Sequence, residues 1–208
     1  MSCLHKRKNL GFSLIELLVT MGIIVTILTV VTLNQSTYVE SASLTNLADQ
    51  VGSTIVQAQA YGIAVRELTP GSADFSASYG LSVSLLGSGS PTSYLFFADR
   101  NNNRAYDGDW SCLTGGLSEC LEKTEIGRGN YVSGICIITS AGGDQCESAR
   151  RADILFLRPD PEAVITFYSQ GGEVLNASNK VGVKIKFQSP GGLIRSVSVY
   201  ENGQVSVQ

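Results

Sequence analysis

A chain of 208 residues, 43% of them hydrophobic, is long enough for one β-rich domain with an appendage. The formal charge of -3 is split: Lys6, Arg7 and Lys8 precede Gly11 with no acid among them, so 12 cations face 18 acids in the remainder. That balance of -6 argues against a generic nucleic-acid coat, which needs phosphate-neutralising cations. The only histidine, His5, also lies in the basic head, so the rest of the chain lacks the commonest general base and metal ligand, which excludes most hydrolase mechanisms.

Residues 12–33 read FSLIELLVTMGIIVTILTVVTL, 22 residues with one charge, Glu16. As a helix they span ~33 Å, enough for a hydrocarbon core of ~30 Å. The basic head before them predicts a cytoplasmic N-terminus and a single pass that sends the C-terminus across. An ordinary secretory signal would close its apolar run with a small-residue cleavage site. Here the run ends in Thr32-Leu33-Asn34-Gln35, and the A-x-A match at Ala58-Gln59-Ala60 lies too far downstream.

Gly11-Phe12-Ser13-Leu14-Ile15-Glu16 after a basic leader resembles the cleavage site of type IV prepilins and type II secretion pseudopilins. The resemblance is tight over residues 6–33 and architectural beyond. It implies that a prepilin peptidase cuts between Gly11 and Phe12 and methylates Phe12, that the apolar helix is kept, and that Glu16 becomes the fifth mature residue. It also implies an α+β, pilin-like fold, a long N-terminal helix laid on antiparallel sheet or a small sandwich, in the minor-pseudopilin or minor-pilin branch. The implied partners are other pilin or pseudopilin subunits, the peptidase, the inner membrane and the assembly platform of a pilus or secretion machine. An acid inside a membrane helix costs about 2.5–3.5 kcal/mol on insertion scales. By resemblance, its partner is the Phe12 amine of an adjacent subunit, which would fix subunit register. Ser13-x-x-Glu16 is also a capping box, with the carboxylate near the positive end of the helix dipole.

Beyond residue 33 the pattern stays helical but becomes one-sided. Leu44, Leu47, Val51, Ile55 and Ala58 recur at three and four residues, while Thr45, Asn46, Asp49 and Gln50 take other faces. One helix is expected from about Phe12 to Tyr61, ending near Gly62; a break at Asn34-Gln35-Ser36 would instead separate an anchor from a second helix. The expected divisions are a leader at 1–11, a membrane or filament-core half at 12–33, an amphipathic half at 34–62 and a β-rich extracytoplasmic domain at 63–208.

The distal domain alternates with period two at 80–85, at Val183, Ile185 and Phe187 against Lys184 and Lys186, and at 196–199. Segments 94–98, 131–139, 153–158 and 163–168 are further strand candidates. Turn chemistry separates them at Gly87-Ser88-Gly89, Gly142-Gly143, Gly171-Gly172, Pro190-Gly191-Gly192 and Asn202-Gly203, the last the clearest hairpin. Lys184, Lys186, Arg150, Arg151, Arg158 and Arg195, with Tyr168 and Tyr200, are the residues a nucleic-acid patch would use; cations on the solvated face of strands are the simpler reading.

Asp99, Asn101, Asn103, the Ala105 carbonyl and Asp107 fall at positions 1, 3, 5, 7 and 9 of a calcium loop, with Asp109 behind them. Arg104 stands where the loop wants Gly, and Trp110 where it wants a bidentate Glu. The competing reading is an Asn-rich turn whose side chains cap their own backbone. No cofactor is required by either; bound calcium would be held at a Kd of roughly 10⁻⁴–10⁻³ M. Cys112, Cys120, Cys136 and Cys146 permit three pairings, of which Cys112–Cys120 and Cys136–Cys146 bracket short loops. Free thiols and a Cys₄ zinc site are the alternatives, though C-x₂-C spacing is absent.

Three functions compete. The first is a structural subunit, most simply a minor one, of a pilus or pseudopilus, residing in the cytoplasmic membrane and then in an extracytoplasmic filament. The second is a tip subunit that binds DNA or another ligand. The third is an anchored enzyme, for which no G-x-S-x-G, S-x-x-K or metal triad is present.

Overall fold

The computed structural model describes residues 12–64, 77–113 and 118–208; Gly11, Cys3 and His5 lie outside them. The chain divides into two compact units, Met1–Val39 and Glu40–Gln208. Helix α1 covers Leu14–Ile63, so the segment at 34–36 is helical. Among the described residues eleven strands follow: β1 Ser78–Ser84, β2 Ser90–Asp99, β3 Cys120–Glu125, β4 Tyr131–Thr139, β5 Asp144–Gln145, β6 Arg151–Phe156, β7 Ala163–Tyr168, β8 Val174–Leu175, β9 Lys180–Gln188, β10 Ile194–Tyr200 and β11 Val205–Val207. They form two sheets, ordered β3-β2-β1-β6-β7-β8 and β11-β10-β9-β4-β5. Every pairing is antiparallel, so the fold is α+β.

Within the second unit the helical stripe does what its spacing predicts. Leu44, Leu47, Val51, Ile55 and Ala58 are all buried, in one core with Leu81, Ile154 and Phe167 of the first sheet and Ile135, Ile185 and Val199 of the second. A side chain of this size contributes about 1.5–3 kcal/mol when fully buried, so this stripe is the main hold of the helix on the sheets. Near its end, Tyr61 meets Tyr79 and Phe96 edge-on, with ring centroids 5.5 and 5.9 Å away. Gly62 lets the helix approach β6 so closely that a Cβ there would lie 2.9 Å from that of Phe156.

The six-stranded sheet is covered on both faces. Along β1 every residue is buried, with Tyr79, Leu81 and Val83 in the main core. The opposite face carries only Ser78, Gly80, Ser82 and Ser84 on this strand, and a second cluster forms over it from Leu95, Phe97, Tyr106, Cys120 and Leu155. Small residues on β1 make room for the loop between β2 and β3. Alternation finds β1 but not its second cover, because a loop packed on a sheet leaves no periodic signal. Strand β3, CLEKTE, was not among the expected segments; its alternation is weak, and pairing with β2 makes it a strand.

The Asn202-Gly203 hairpin forms as its chemistry dictates: Gly203 has φ +83° and its N–H donates to the Tyr200 carbonyl at 2.9 Å. Gly80 has a different constraint, since a Cβ would run into the Ile154 carbonyl oxygen and lie 2.9 Å from Leu155 Cδ1. Gly80→Ala should therefore lower stability by about 1–3 kcal/mol, the usual cost of overfilling a packed interior. Thermal melts followed by circular dichroism would read this; a melt matching the parent's would mean that β1 and β6 part without cost.

Candidate assembly segment and the loop over the six-stranded sheet

Phe12 stands just before α1 and is 82% exposed. The Ser13 carbonyl accepts the N–H groups of Glu16 at 3.0 Å and Leu17 at 3.2 Å, closing the first turn. From Leu14 to Val31 the large apolar side chains are exposed, and the apolar stretch is long enough to cross a membrane. Such a surface needs an apolar environment, lipid or other helices. Its polar side chains are already quenched: Thr20 donates to the Leu17 carbonyl, Thr26 to Ile23, Thr29 to Val25 and Thr32 to Leu28, at 2.8–2.9 Å. Glu16 is the one charge in the stretch.

The Asp/Asn loop leaves the end of β2. Asp99 is fully buried, and its carboxylate accepts the N–H groups of Asn103 at 3.3 Å and Arg104 at 2.9 Å. Asn101 Oδ1 accepts from Asn103 N–H and Asn103 Oδ1 from Ala105 N–H. Both amide groups donate to one oxygen of Asp107, while Asp109 caps the N–H of Ser111 at 3.1 Å. The side chains thus satisfy the loop's own backbone, and a cation would have to displace two amide donors from Asp107. Among the described residues no cluster of three or more His, Cys, Asp or Glu side chains suits a metal.

Two further groups hold this loop. Glu119, buried beside Cys120, accepts the Arg100 N–H at 3.3 Å with one oxygen and the Asp107 N–H at 2.9 Å with the other. Burial pushes its carboxyl above the ordinary glutamate range and outweighs those two hydrogen bonds, with Asp107 and Asp99 adding to the rise. Asp153, fully buried on β6, accepts from Ser82 Oγ at 2.6 Å, Tyr106 N–H at 3.0 Å and the Arg151 guanidinium at 2.6 and 3.0 Å. Arg151 also donates to the Tyr106 carbonyl and lies 4.5 Å over the Tyr168 ring. Burial disfavours its charge, but the hydrogen bond and charge of Asp153 prevail and hold it above its usual range. Tyr106 is pushed up to about 12, by burial first and then by the nearby Asp109 and Glu119; Tyr168 rises too, by burial and by Asp153. Cutting one side of a buried pair like Arg151–Asp153 costs about 3–5 kcal/mol.

Cys112 and Cys120 are joined, as are Cys136 and Cys146. The first bridge ties the loop to the start of β3; the second ties β4 to the segment behind β5. Of the cations considered for nucleic acid, Arg151 is committed to Asp153 and Lys184 is paired with Asp144. Neither Glu119 nor the Arg151–Asp153 pair was singled out from sequence. An acid inside the otherwise apolar run ADILF was the available signal for Asp153, since a strand of that kind buries its acid only with partners.

The family model described as prokaryotic N-terminal methylation motif matches residues 6–32. No curated protein and no solved structure matches the chain. The match supports a pilin-type N-terminus, in which the motif and the apolar stretch of α1 fall together at the start of the chain. An N-terminus of this kind is similar to that of the type IV pilin-like and pseudopilin family, and the one-helix, two-sheet α+β fold is consistent with that similarity.

A raised folded-state pKa at Glu119 carries a signed pH dependence. The stability it contributes is complete below the ordinary glutamate value of ~4.3 and is lost as pH rises through the raised folded value. Glu119→Gln should flatten that decline in melts taken from about pH 4 to pH 7. An unchanged slope would trace the decline to another group.

Proposed function

We propose that this chain is a minor structural subunit of a type IV pilus or type II secretion pseudopilus, with no enzymatic activity of its own. The carrying observation is a helix apolar on every side from Leu14 to Val31, interrupted by one carboxylate, Glu16, four residues after Phe12. Cleavage after Gly11 would place a new amine at Phe12, and this amine on one subunit would pair with Glu16 on the next. The pairing offsets the about 2.5–3.5 kcal/mol that an acid costs in such surroundings. It also gives stacked copies a fixed register, which apolar contact alone does not. Residues 12–33 would sit in the inner membrane and afterwards in the filament core, while the β-rich domain faces the extracytoplasmic side, where the two disulfides persist.

A tip subunit that binds DNA finds less support, because Arg151 and Lys184 are engaged within the domain. A salt-dependent gel shift tests that reading separately.

The subunit reading is tested at its two atoms. N-terminal sequencing of the protein from membranes that contain the cognate peptidase should recover methylated Phe12; recovery of Met1 would end the proposal. Glu16→Gln should still be processed and membrane-bound yet fall by about tenfold or more in sheared filaments, the effect of losing at least ~1.4 kcal/mol of pairing per contact.

A further inference from the structure

We infer that the end of the β-rich domain at Glu40 is a docking surface for an anionic phospholipid bilayer; the inference rests on the membrane-anchored reading above. Two loops converge there. The β9–β10 turn is held by Glu40: its carboxylate accepts from Ser189 Oγ at 3.4 Å and leaves no space for a side chain at Gly191. The β3–β4 turn is held by Asn130, whose amide donates to Ser43 Oγ at 3.0 Å. The loops also meet each other, since a Cβ on Gly129 would lie 2.9 Å from Pro190 Cγ. Both tips are therefore fixed against the helix.

What this end displays is the composition of a bilayer interface. Ile194 is 53% and Leu193 37% exposed, in a domain that buries most of its large apolar side chains. Tyr131 and Ile194 both pair with Gln188, in one row across the sheet, which puts a half-buried aromatic beside the exposed apolar pair. Arg128 and Arg195 are exposed in the same two segments, and neither forms an ion pair among the described residues. The nearby acids are committed: Glu40 to the turn and Glu125 to Lys123 at 2.9 Å. Cations for phosphate, a tyrosine, and shallow aliphatic side chains are the set that recognises an anionic lipid surface.

The chain keeps this surface near the lipid. Seven residues lead from Leu33, the last of the apolar run, to Glu40. They span ~10 Å as helix and at most about 25 Å fully extended, against a headgroup layer of roughly 5–7 Å on each side of the hydrocarbon. The domain would thus rest on the bilayer before it is taken into a filament, with lipid charge setting the strength of that contact.

The test uses the full chain reconstituted into vesicles of phosphatidylcholine, alone or mixed with phosphatidylglycerol. An environment-sensitive fluorophore is attached at Ile194→Cys or, as a control at the opposite hairpin, at Asn202→Cys, with a quencher on the lipid headgroup. Flotation with the vesicles reports anchoring itself, so its failure sinks the membrane reading and not only the docking. With anchoring intact, quenching at 194 should exceed that at 202. It should grow with phosphatidylglycerol and weaken about fivefold for each of Arg128→Gln and Arg195→Gln in the ratio of docked to free domain. Equal quenching at the two sites, or quenching at 194 indifferent to lipid charge, overturns the inference. So does shielding of 194 in detergent that rises with protein concentration, which would assign the surface to a second copy of the chain.

Discussion

Burial of the Leu44–Ala58 stripe is the interaction on which the domain depends. Those side chains enter a core to which both sheets contribute, so the helix is the piece that each sheet shares with the other. The same helix carries, further toward its start, an apolar surface with no preferred side. One secondary-structure element thus answers to two environments, and its sequence changes at about residues 34–39 from all-round apolar to one-sided. This change of pattern, more than any single residue, separates a chain that must be anchored from one that must also fold.

The second organising feature is the loop over the six-stranded sheet. It is long, polar and held from three directions: by Glu119 at its backbone, by the Arg151–Asp153 pair at Tyr106, and by the Cys112–Cys120 bridge. Its own Asp and Asn side chains complete its turns. A buried ion pair of this kind gives less net stability than its short distances suggest, because both charges lose water. It does fix position, since a loop displaced from Asp153 would leave the Tyr106 N–H without its acceptor and take the Tyr106 carbonyl away from the Arg151 guanidinium. Covering the second face of the sheet is what lets β1 combine Tyr79, Leu81 and Val83 with serines and glycine and still be buried throughout.

Much of this was legible in the sequence, and the reasons differ by element. The helical stripe, the alternation around Val183–Phe187 and the Asn202-Gly203 hairpin are set by neighbours within a few residues, so pattern reveals them. The motif at Gly11–Glu16 is legible because four features coincide in one short stretch. The clamp residues are not legible in that way. Asp153 meets Tyr106 from 47 positions away and Ser82 from 71, and no local pattern encodes such a meeting. The cations of β6 and β9 show the converse. Read in sequence they suggest a patch; in three dimensions Arg151 is spent on a buried acid and Lys184 on Asp144.

The threonines of the apolar stretch have a consequence for movement. Each hydroxyl returns its proton to a carbonyl one turn back in its own helix, so the rod carries its polar bookkeeping with it. Sliding such a rod out of one oily medium into another requires no hydrogen bond to be broken or traded. Under the proposed subunit function, only the carboxylate of Glu16 would register the difference between the two media, and a single ionic preference would then decide where the rod comes to rest.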